Sequence, residues 1–181
     1  APMLAKTADR FASNQIRNMA TVGGNICNAS PAGDMIIPLM VLEAQVELSS
    51  WQDGAVQTRN VSLNEFFTGP GRTVMAEAEL LTAISFDRPA EGFVGHFGKT
   101  GPRPALEISM VSVGVGGIAA GGGLTAARVV YGAVAPTPIR ATKTEAALEG
   151  VALDEAAIQS VLDVADSEVN PISDVRASDW Y

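Results

Sequence analysis

The residues best suited to chemistry lie in one run near the start of the chain, from Gln15 to Asp34. The run contains two adjacent glycines, Gly23 and Gly24, which carry no side chain that would keep a ligand away from the backbone. Their amide N–H groups can therefore point at an anion. Because the run has neither helical nor strand periodicity, it is predicted to be a ligand-holding loop. Short hydroxyl and amide side chains surround the glycine pair: Thr21, Asn25, Asn28 and Ser30.

An ordinary glycine-rich turn explains the same residues equally well, because paired glycines beside Asn and Ser are common in turns. Asp34 stands where the run meets the apolar stretch Met35 to Ala44, so we expect it to cap a buried helix there. A helix N-terminus beside free backbone amides would supply partial positive charge without a lysine. That arrangement suits a diphosphate or another anion.

Other kinds of active site find little support in the residue types. The chain has one histidine, His96, and one cysteine, Cys27, which excludes a multi-histidine or Cys/His metal cluster. His96 is expected to be structural within a strand, and Cys27 to be a small buried residue. Glu145 and Glu149 are expected on a solvated helix face. Any catalysis would therefore depend on a bound cofactor.

Composition sets further bounds on the function. With 181 residues, of which 47% are hydrophobic, the chain can bury a core. Its 12 Lys and Arg against 20 Asp and Glu give a net charge of −8, which argues against general binding to nucleic acid. The apolar stretches are too short or too rich in glycine to cross a membrane, and a single cysteine fits either a reducing compartment or a fold that needs no disulfide. We therefore expect a cytoplasmic protein.

The elements that must position the run are predicted to form an α+β fold with a domain boundary near residue 90. Before the boundary, we expect a helix from Met3 to Phe11, a hairpin that turns at Asp53-Gly54, a short helix from Ser62 and a strand from Glu79 to Phe86. After it, three long strands are predicted to form an antiparallel sheet. They span Gly92–Lys99, Ile108–Ala119 and Leu124–Ala135, and two helices follow, Thr142–Leu148 and Asp154–Val169, the second with Leu162 facing inward.

Several segments in order resemble the flavin-binding subunit or domain of the xanthine dehydrogenase and carbon monoxide dehydrogenase family of molybdenum hydroxylases. The run from Gln15 to Asp34 is similar to that family's second FAD-binding loop. Five ordered landmarks are more specific than one glycine pair. The four later ones are Phe66–Thr73, Glu79–Ile84, Lys99–Ile108 and Asp174–Ser178.

The resemblance implies roles for particular positions. Contacts to the FAD pyrophosphate are implied for Thr21, Gly23, Gly24 and Asn25, with Asn28 and Ser30 nearby. Asp34 matches an acidic position that hydrogen-bonds the ribityl or adenosine part. Leu81 matches an apolar residue that packs on the flavin. Lys99 matches a lysine near the isoalloxazine, and Phe11 matches an aromatic residue at the cofactor's edge. Phe11 fits equally well as a core residue of its helix.

The resemblance also implies an architecture and partners. Residues 1–90 would be the second lobe of a two-lobed FAD-binding domain, and residues 91–181 a C-terminal flavoprotein domain. The family carries a further glycine-rich loop on an earlier lobe, so the sequence as printed is expected to hold about half of the cofactor cradle. Iron–sulfur and molybdenum-pterin subunits would be the partners of this oxidoreductase component, and NAD an acceptor. Two alternatives remain: a non-catalytic docking module for those subunits, and a small anion-binding protein.

Overall fold

Short helices dominate the first third of the chain, and antiparallel strands dominate the rest. The computed structural model describes residues 1–101, 108–173 and 178–180. The helices are α1 (Pro2–Arg10), α2 (Asn14–Met19), α3 (Val22–Cys27), α4 (Ile36–Val41), α5 (Leu63–Phe66), α6 (Thr142–Leu148) and α7 (Glu155–Asp166). The strands are β1 (Gln45–Gln52), β2 (Ala55–Ser62), β3 (Phe67–Gly69), β4 (Arg72–Thr73), β5 (Leu80–Ser85), β6 (Phe93–Thr100), β7 (Val111–Ala120), β8 (Gly123–Gly132) and β9 (Ile139–Arg140).

The first sheet is antiparallel, with its strands in the order β2-β1-β5. Residues of β1 are alternately buried, so that Val46 and Leu48 face the core. Asp53 and Gly54 both have positive φ and form the two-residue turn from β1 to β2. Ser62 caps α5 by accepting a hydrogen bond from the Asn64 backbone N–H. The sequence predicted each of these elements.

The second sheet is also antiparallel, in the order β6-β7-β8-β9. Three of its strands were expected, and the fourth is β9, where Ile139 pairs with Tyr131 of β8. Gly121 and Gly122, both at positive φ, make the turn between β7 and β8. Helix α6 packs on β8 and α7 packs on α6. Antiparallel sheets with flanking helices confirm the predicted α+β class.

Helix α4 is buried at every one of its residues and contacts α1, α5, β6, β7 and β8. Pro38 lies in its first turn, the position where a missing N–H costs no helical hydrogen bond. The hydrophobic core that surrounds α4 includes Leu48 of β1, Phe97 of β6 and Val130 of β8. One core therefore joins elements from both sides of residue 90.

Glycines in β7 and β8 let the second sheet approach α4 closely. A Cβ added at Gly114 would lie 2.8 Å from Ile37 Cγ2, and one at Gly116 would lie 2.6 Å from Val41 Cγ1. A Cβ at Gly132 would lie 2.7 Å from Ile37 Cδ1. Atoms cannot approach a real Cβ at these distances, so α4 fits only against strands that lack side chains at these positions.

The run predicted to be an irregular loop instead forms the two short helices α2 and α3. Ser13 caps α2 and Thr21 caps α3, each accepting a hydrogen bond from a backbone N–H in the first turn. Gly23 and Gly24 therefore lie inside the first turn of α3. Helices of six residues are too short to carry a repeated apolar spacing, which is why periodicity missed them.

The expectation that Asp34 caps the following helix is wrong. Helix α4 begins two residues later, its N-cap is Met35, and no side chain caps it. The Asp34 carboxylate accepts hydrogen bonds from Lys99 and Ser109 instead. A buried ammonium and a buried hydroxyl thus occupy the two carboxylate oxygens that a helix cap would have used.

One expectation for the C-terminal helices is wrong, and another holds only in part, because Glu149 is exposed as expected whereas Glu145 is partly buried. Leu162 does not face inward, because 55% of its surface is exposed. Glu145 accepts hydrogen bonds from the Val129 backbone N–H and from Arg140. Glu149 accepts hydrogen bonds from two backbone N–H groups of β8, both at 2.9 Å. These carboxylates therefore tie α6 to the sheet and do not form a purely solvated face.

None of the helices in the described ranges has the length and apolar character needed to cross a bilayer.

Candidate functional site

A cavity of about 160 Å³ lies beside the N-terminus of α3. Three of the residues singled out from the sequence, Phe11, Thr21 and Asn25, line it together. The end of α1 supplies the first of them, and the start and middle of α3 supply the other two. Mostly apolar side chains complete the wall: Ala8, Ala20, Val22 and Met35, together with Arg17.

Asn25 lines this cavity and carries an unsatisfied polar atom. Its Oδ1 is buried and has no hydrogen-bond partner within the described part of the chain. Buried polar atoms in folded proteins are nearly always hydrogen-bonded, and leaving one unpaired costs about 1–3 kcal/mol. Oδ1 can only accept a hydrogen bond, so its partner would have to be a donor N–H or O–H group.

The glycine pair shapes the same end of α3. Thr21 Oγ1 accepts a hydrogen bond of 2.9 Å from the Gly24 backbone N–H. A Cβ at Gly24 would lie only 3.0 Å from that oxygen, so a larger residue would disturb the cap. A Cβ at Gly23 would lie 3.7 Å from Leu81 Cδ2, which places the partly buried Leu81 beside the helix.

Asn28 and Ser30 lie at the other end of α3 and do not line the cavity. Asn28 is exposed and forms the C-cap of the helix, about 10 Å along the axis from Thr21. Ser30 Oγ accepts a hydrogen bond from the Ala32 backbone N–H at 3.2 Å, within a local turn. The structure thus leaves these two predicted residues out of the cavity wall that Thr21 and Asn25 share.

Asp34 and Lys99 form a buried ion pair that is also separate from the cavity wall. Lys99 Nζ donates to Asp34 Oδ2 at 2.7 Å, and the side chains are 4% and 6% exposed. Ser109 Oγ donates to the other carboxylate oxygen at 2.7 Å. The backbone N–H of Met110 bonds Thr100 O at 2.9 Å, so Lys99 and Ser109 approach Asp34 from paired strand ends. Both charged residues were predicted as site residues, but the contact between them was not.

Arg17 is the cavity residue that the sequence analysis missed. Its guanidinium donates to the Phe11 carbonyl oxygen through Nη1 and to Asn14 Oδ1 through Nη2. It therefore joins the end of α1 to the start of α2. The sequence signal that could have indicated Arg17 is its position as a lone cation in a run of small and amide residues.

Cys27 and His96 both lie outside the cavity. Cys27 is exposed, so the expectation of a buried cysteine is wrong; its Sγ lies 3.8 Å from Met75 Sδ. Partial desolvation raises the pKa of this thiol above its ordinary value. His96 lies in β6, as expected for a strand residue, and its side chain is exposed. Across the described ranges, no three His, Cys, Asp or Glu side chains gather in a metal-binding group.

Comparison with known families gives the arrangement a context. Residues 1–89 match the family described as the FAD binding domain in molybdopterin dehydrogenase. Residues 97–181 match the CO dehydrogenase flavoprotein C-terminal domain. The chain belongs to the flavoprotein family that these two matches describe. The match confirms the resemblance read from the sequence and identifies an FAD-binding domain.

Curated relatives of this flavoprotein family match nearly the whole chain. The xanthine dehydrogenase FAD-binding subunit of Escherichia coli O157:H7 is 33% identical over 179 residues, covering 98% of this chain and 60% of the relative. The carbon monoxide dehydrogenase medium chain of Afipia carboxidovorans is 31% identical, covering 99% of this chain and 61% of the relative. The chain therefore spans about three fifths of the length of these relatives.

Solved flavoproteins of the family share the fold. Reconstituted CO dehydrogenase from Oligotropha carboxidovorans superposes with a TM-score of 0.90 at 30% identity, covering 99% of this chain and 61% of that one. Quinoline 2-oxidoreductase from Pseudomonas putida 86 superposes with a TM-score of 0.87 at 26% identity, covering 98% of this chain and 60% of that one. Two family landmarks, Lys99–Ile108 and Asp174–Ser178, lie partly outside the described residues.

Proposed function

We propose that this chain is the FAD-holding part of an electron-transfer component of a molybdenum hydroxylase complex. The observation that carries the proposal is the cavity beside α3, which Phe11, Thr21 and Asn25 line together. The family match supports FAD as the ligand. A cavity of about 160 Å³ would enclose part of such a large cofactor.

The residues around α3 would bind FAD by complementary means. Thr21, Gly23, Gly24 and Asn25 would hold the pyrophosphate region, because close approach of the ligand requires residues without bulky side chains. The Asn25 side-chain N–H groups would donate to a pyrophosphate oxygen, whereas its buried Oδ1, an acceptor, would need a donor on the cofactor such as a hydroxyl. Phe11 would pack on the cofactor's edge, and Leu81 would contact the flavin from β5. Asn28 and Ser30 would contribute polar groups at the far end of the helix.

Asp34 and Lys99 enter the proposal as a pair. Since the carboxylate balances the ammonium at 2.7 Å, the pair carries little net charge toward a ligand. Its proposed contribution is a fixed dipole near the ribityl chain and the isoalloxazine. The burial of both side chains keeps that dipole oriented and free of competing water.

Bound FAD would supply the redox chemistry that the side chains of this chain lack. In the proposed complex, electrons come from iron–sulfur clusters on a partner that also binds a molybdenum-pterin subunit. An external acceptor such as NAD receives them. The component would act in the cytoplasm, where a single free cysteine meets no oxidative pressure. The chain itself would bind and orient the cofactor and exclude water from it.

Removal of the cofactor tests the electron-transfer role. The isolated native complex is depleted of FAD, its clusters are reduced with dithionite, and NAD is then added while cluster absorbance is recorded. We expect rapid reoxidation in the untreated complex, loss of reoxidation after depletion and recovery after FAD is returned. Equal reoxidation with and without FAD would favour the alternative of a docking module.

Gly24→Val tests the binding site itself. The valine side chain would push against Thr21 Oγ1, which already lies 3.0 Å from a Cβ at this position, and would fill the space for the ligand. We expect the full-length gene product to lose its bound flavin, measured as flavin absorbance per protein. The control is Gly69→Ala, where the nearest atom to a Cβ is Arg72 Nε at 3.9 Å. Unchanged flavin content in Gly24→Val would contradict the assignment.

A further inference from the structure

The junction between α1 and α2 is held in an unusual conformation. Phe11 is the C-cap of α1, and the next residue, Ala12, has φ of +46°. A residue with a Cβ rarely adopts this left-handed region, so neighbouring contacts must hold it there. Ser13 then caps α2 by accepting a hydrogen bond from the Ile16 N–H. Phe11, the aromatic residue of the cavity, therefore lies next to a turn whose backbone conformation must be stabilised by other contacts.

Arg17 supplies that support. Its guanidinium donates to the Phe11 carbonyl oxygen and to Asn14 Oδ1, one residue on each side of the turn. The carbonyl at a helix C-terminus lacks an intrahelical donor, so this hydrogen bond also satisfies it. A planar guanidinium can donate to two acceptors at fixed directions, which a lysine ammonium on a flexible stem does not reproduce.

The same side chain reaches the cavity wall next to Phe11, Thr21 and Asn25. One side chain thus contacts both ends of the turn that carries Phe11 and also lines the cavity beside α3. We propose that Arg17 is a positioning residue that fixes Phe11 against the α3 side of the cofactor cavity. This inference rests on the proposed function, because it assumes that the cavity holds part of FAD.

Arg17→Met in the full-length gene product is the test, since methionine keeps much of the length but removes both hydrogen bonds. Apoprotein is titrated with FAD while flavin fluorescence is recorded, and the visible circular dichroism of the bound flavin is measured. We expect the dissociation constant for FAD to rise by about 10-fold to 100-fold, as for the loss of a charged hydrogen bond. We also expect an altered dichroism per bound flavin.

Two further variants sharpen the test. Arg10→Met makes the same chemical change at an exposed residue of α1 and should leave both measurements unchanged. Arg17→Lys keeps the charge, and we expect it to bind FAD more weakly than wild type with an altered dichroism as well. It also provides the readout if Arg17→Met does not fold.

The outcomes separate the two proposals. If the wild-type protein does not bind FAD, the proposed function fails and this inference fails with it. If wild type binds FAD and the Arg17 variants match its affinity and dichroism, the positioning role alone is overturned. A lower melting temperature with unchanged affinity and dichroism would assign Arg17 a purely structural role and would also overturn the inference.

Discussion

At the scale of single residues, Asp34 joins two parts of the chain that lie far apart in sequence. Its two carboxylate oxygens accept hydrogen bonds from Lys99 and Ser109, both at 2.7 Å. All three side chains are buried. A buried charge is tolerated only while it is paired, so each member of this group depends on the others.

Lys99→Met should therefore destabilise the protein strongly. The variant leaves the Asp34 carboxylate buried without its cation, and we expect the free energy of unfolding to fall by about 3–5 kcal/mol. Denaturant unfolding followed by circular dichroism gives the measurement. Lys6→Met, at an exposed position of α1, is the control and should change stability little.

The double variant Asp34→Asn with Lys99→Met removes both charges and should recover part of the lost stability. A single Lys99→Met variant as stable as Lys6→Met would show that the ion pair contributes nothing to the fold.

Glu79 is a second residue whose charge state matters. Two hydrogen bonds from the Arg59 guanidinium, at 2.6 and 2.8 Å, and one from the Ala76 N–H lower its pKa from 4.5 to about 2. Because the folded-state pKa lies below the unfolded value, the stabilisation is fully present above pH 4.5 and is lost as pH falls toward 2. Arg59 is 45% exposed, so salt weakens the contribution.

We expect Glu79→Gln to reduce the loss of stability between pH 4.5 and pH 2. Unfolding midpoints measured from about pH 6 down to pH 2 should fall less steeply in the variant than in wild type. Glu77→Gln changes the same residue type at an exposed neighbouring position and serves as the control. Parallel pH curves for wild type and Glu79→Gln would exclude the Arg59 contact as their cause.

At the scale of elements, the fit between α4 and the second sheet is set by small residues in the strands. Gly114, Gly116 and Gly132 all face the helix at distances that leave no space for a Cβ. The conformational entropy lost on ordering glycines in a strand is offset here by close contact with a fully apolar helix. Such glycines specify where the helix lies on the sheet.

Gly116→Ala should destabilise the protein by about 1–3 kcal/mol, the range for overpacking a core. The new Cβ would lie 2.6 Å from Val41 Cγ1 and 2.7 Å from Phe93 Cζ. Thermal unfolding measures the change. Gly98→Ala in the adjacent strand is the matched control, because its Cβ would make an ordinary 3.9 Å contact with Val113 Cγ1. Equal melting temperatures for the two variants would contradict the packing argument.

The sequence predicts the long strands well, because glycine turns and alternating burial leave local patterns. Strands β7 and β8 and their turn at Gly121-Gly122 follow from such patterns. Helices α2 and α3 do not, since six residues offer too few repeats. The two-residue strand β9 depends wholly on its pairing with Tyr131 of β8. Local order is thus predictable where it repeats, and tertiary contacts decide the rest.

The residues of the candidate site also differ in how far the sequence predicts them. Phe11, Thr21 and Asn25, which residue type and family resemblance singled out, line one cavity. Their assignment to FAD remains a proposal. Arg17 was missed because its role lies in contacts to Phe11 and Asn14 that sequence spacing does not reveal.

At the scale of the whole molecule, the division into residues 1–90 and 91–181 stays a prediction. The first family match ends at residue 89, and the second begins at residue 97. The main hydrophobic core nevertheless contains α4 residues together with Phe97 and Val130. Ion pairs from Glu43 to Arg128 and Arg140 add a second link, just after α4 ends. We therefore expect the two regions to unfold together.

Amide hydrogen exchange tests this expectation. The amides of Val41 in α4 and Val130 in β8 should exchange with the same opening free energy, equal to that of global unfolding. Helix α7, which has no buried residue, should exchange earlier through local opening and serves as an internal control. A lower opening free energy for α4 than for β8 would establish two separately unfolding regions.

The complete burial of α4 has a consequence for how the protein is made. The helix leaves the ribosome ahead of the strands that cover it, since Val41 precedes Gly114 and Gly132 by some 70 to 90 residues. At about 5–20 residues synthesised per second, its apolar surface stays uncovered for roughly 4 to 18 seconds. The nascent chain is therefore most vulnerable to aggregation, and most in need of a chaperone, before its second sheet has emerged.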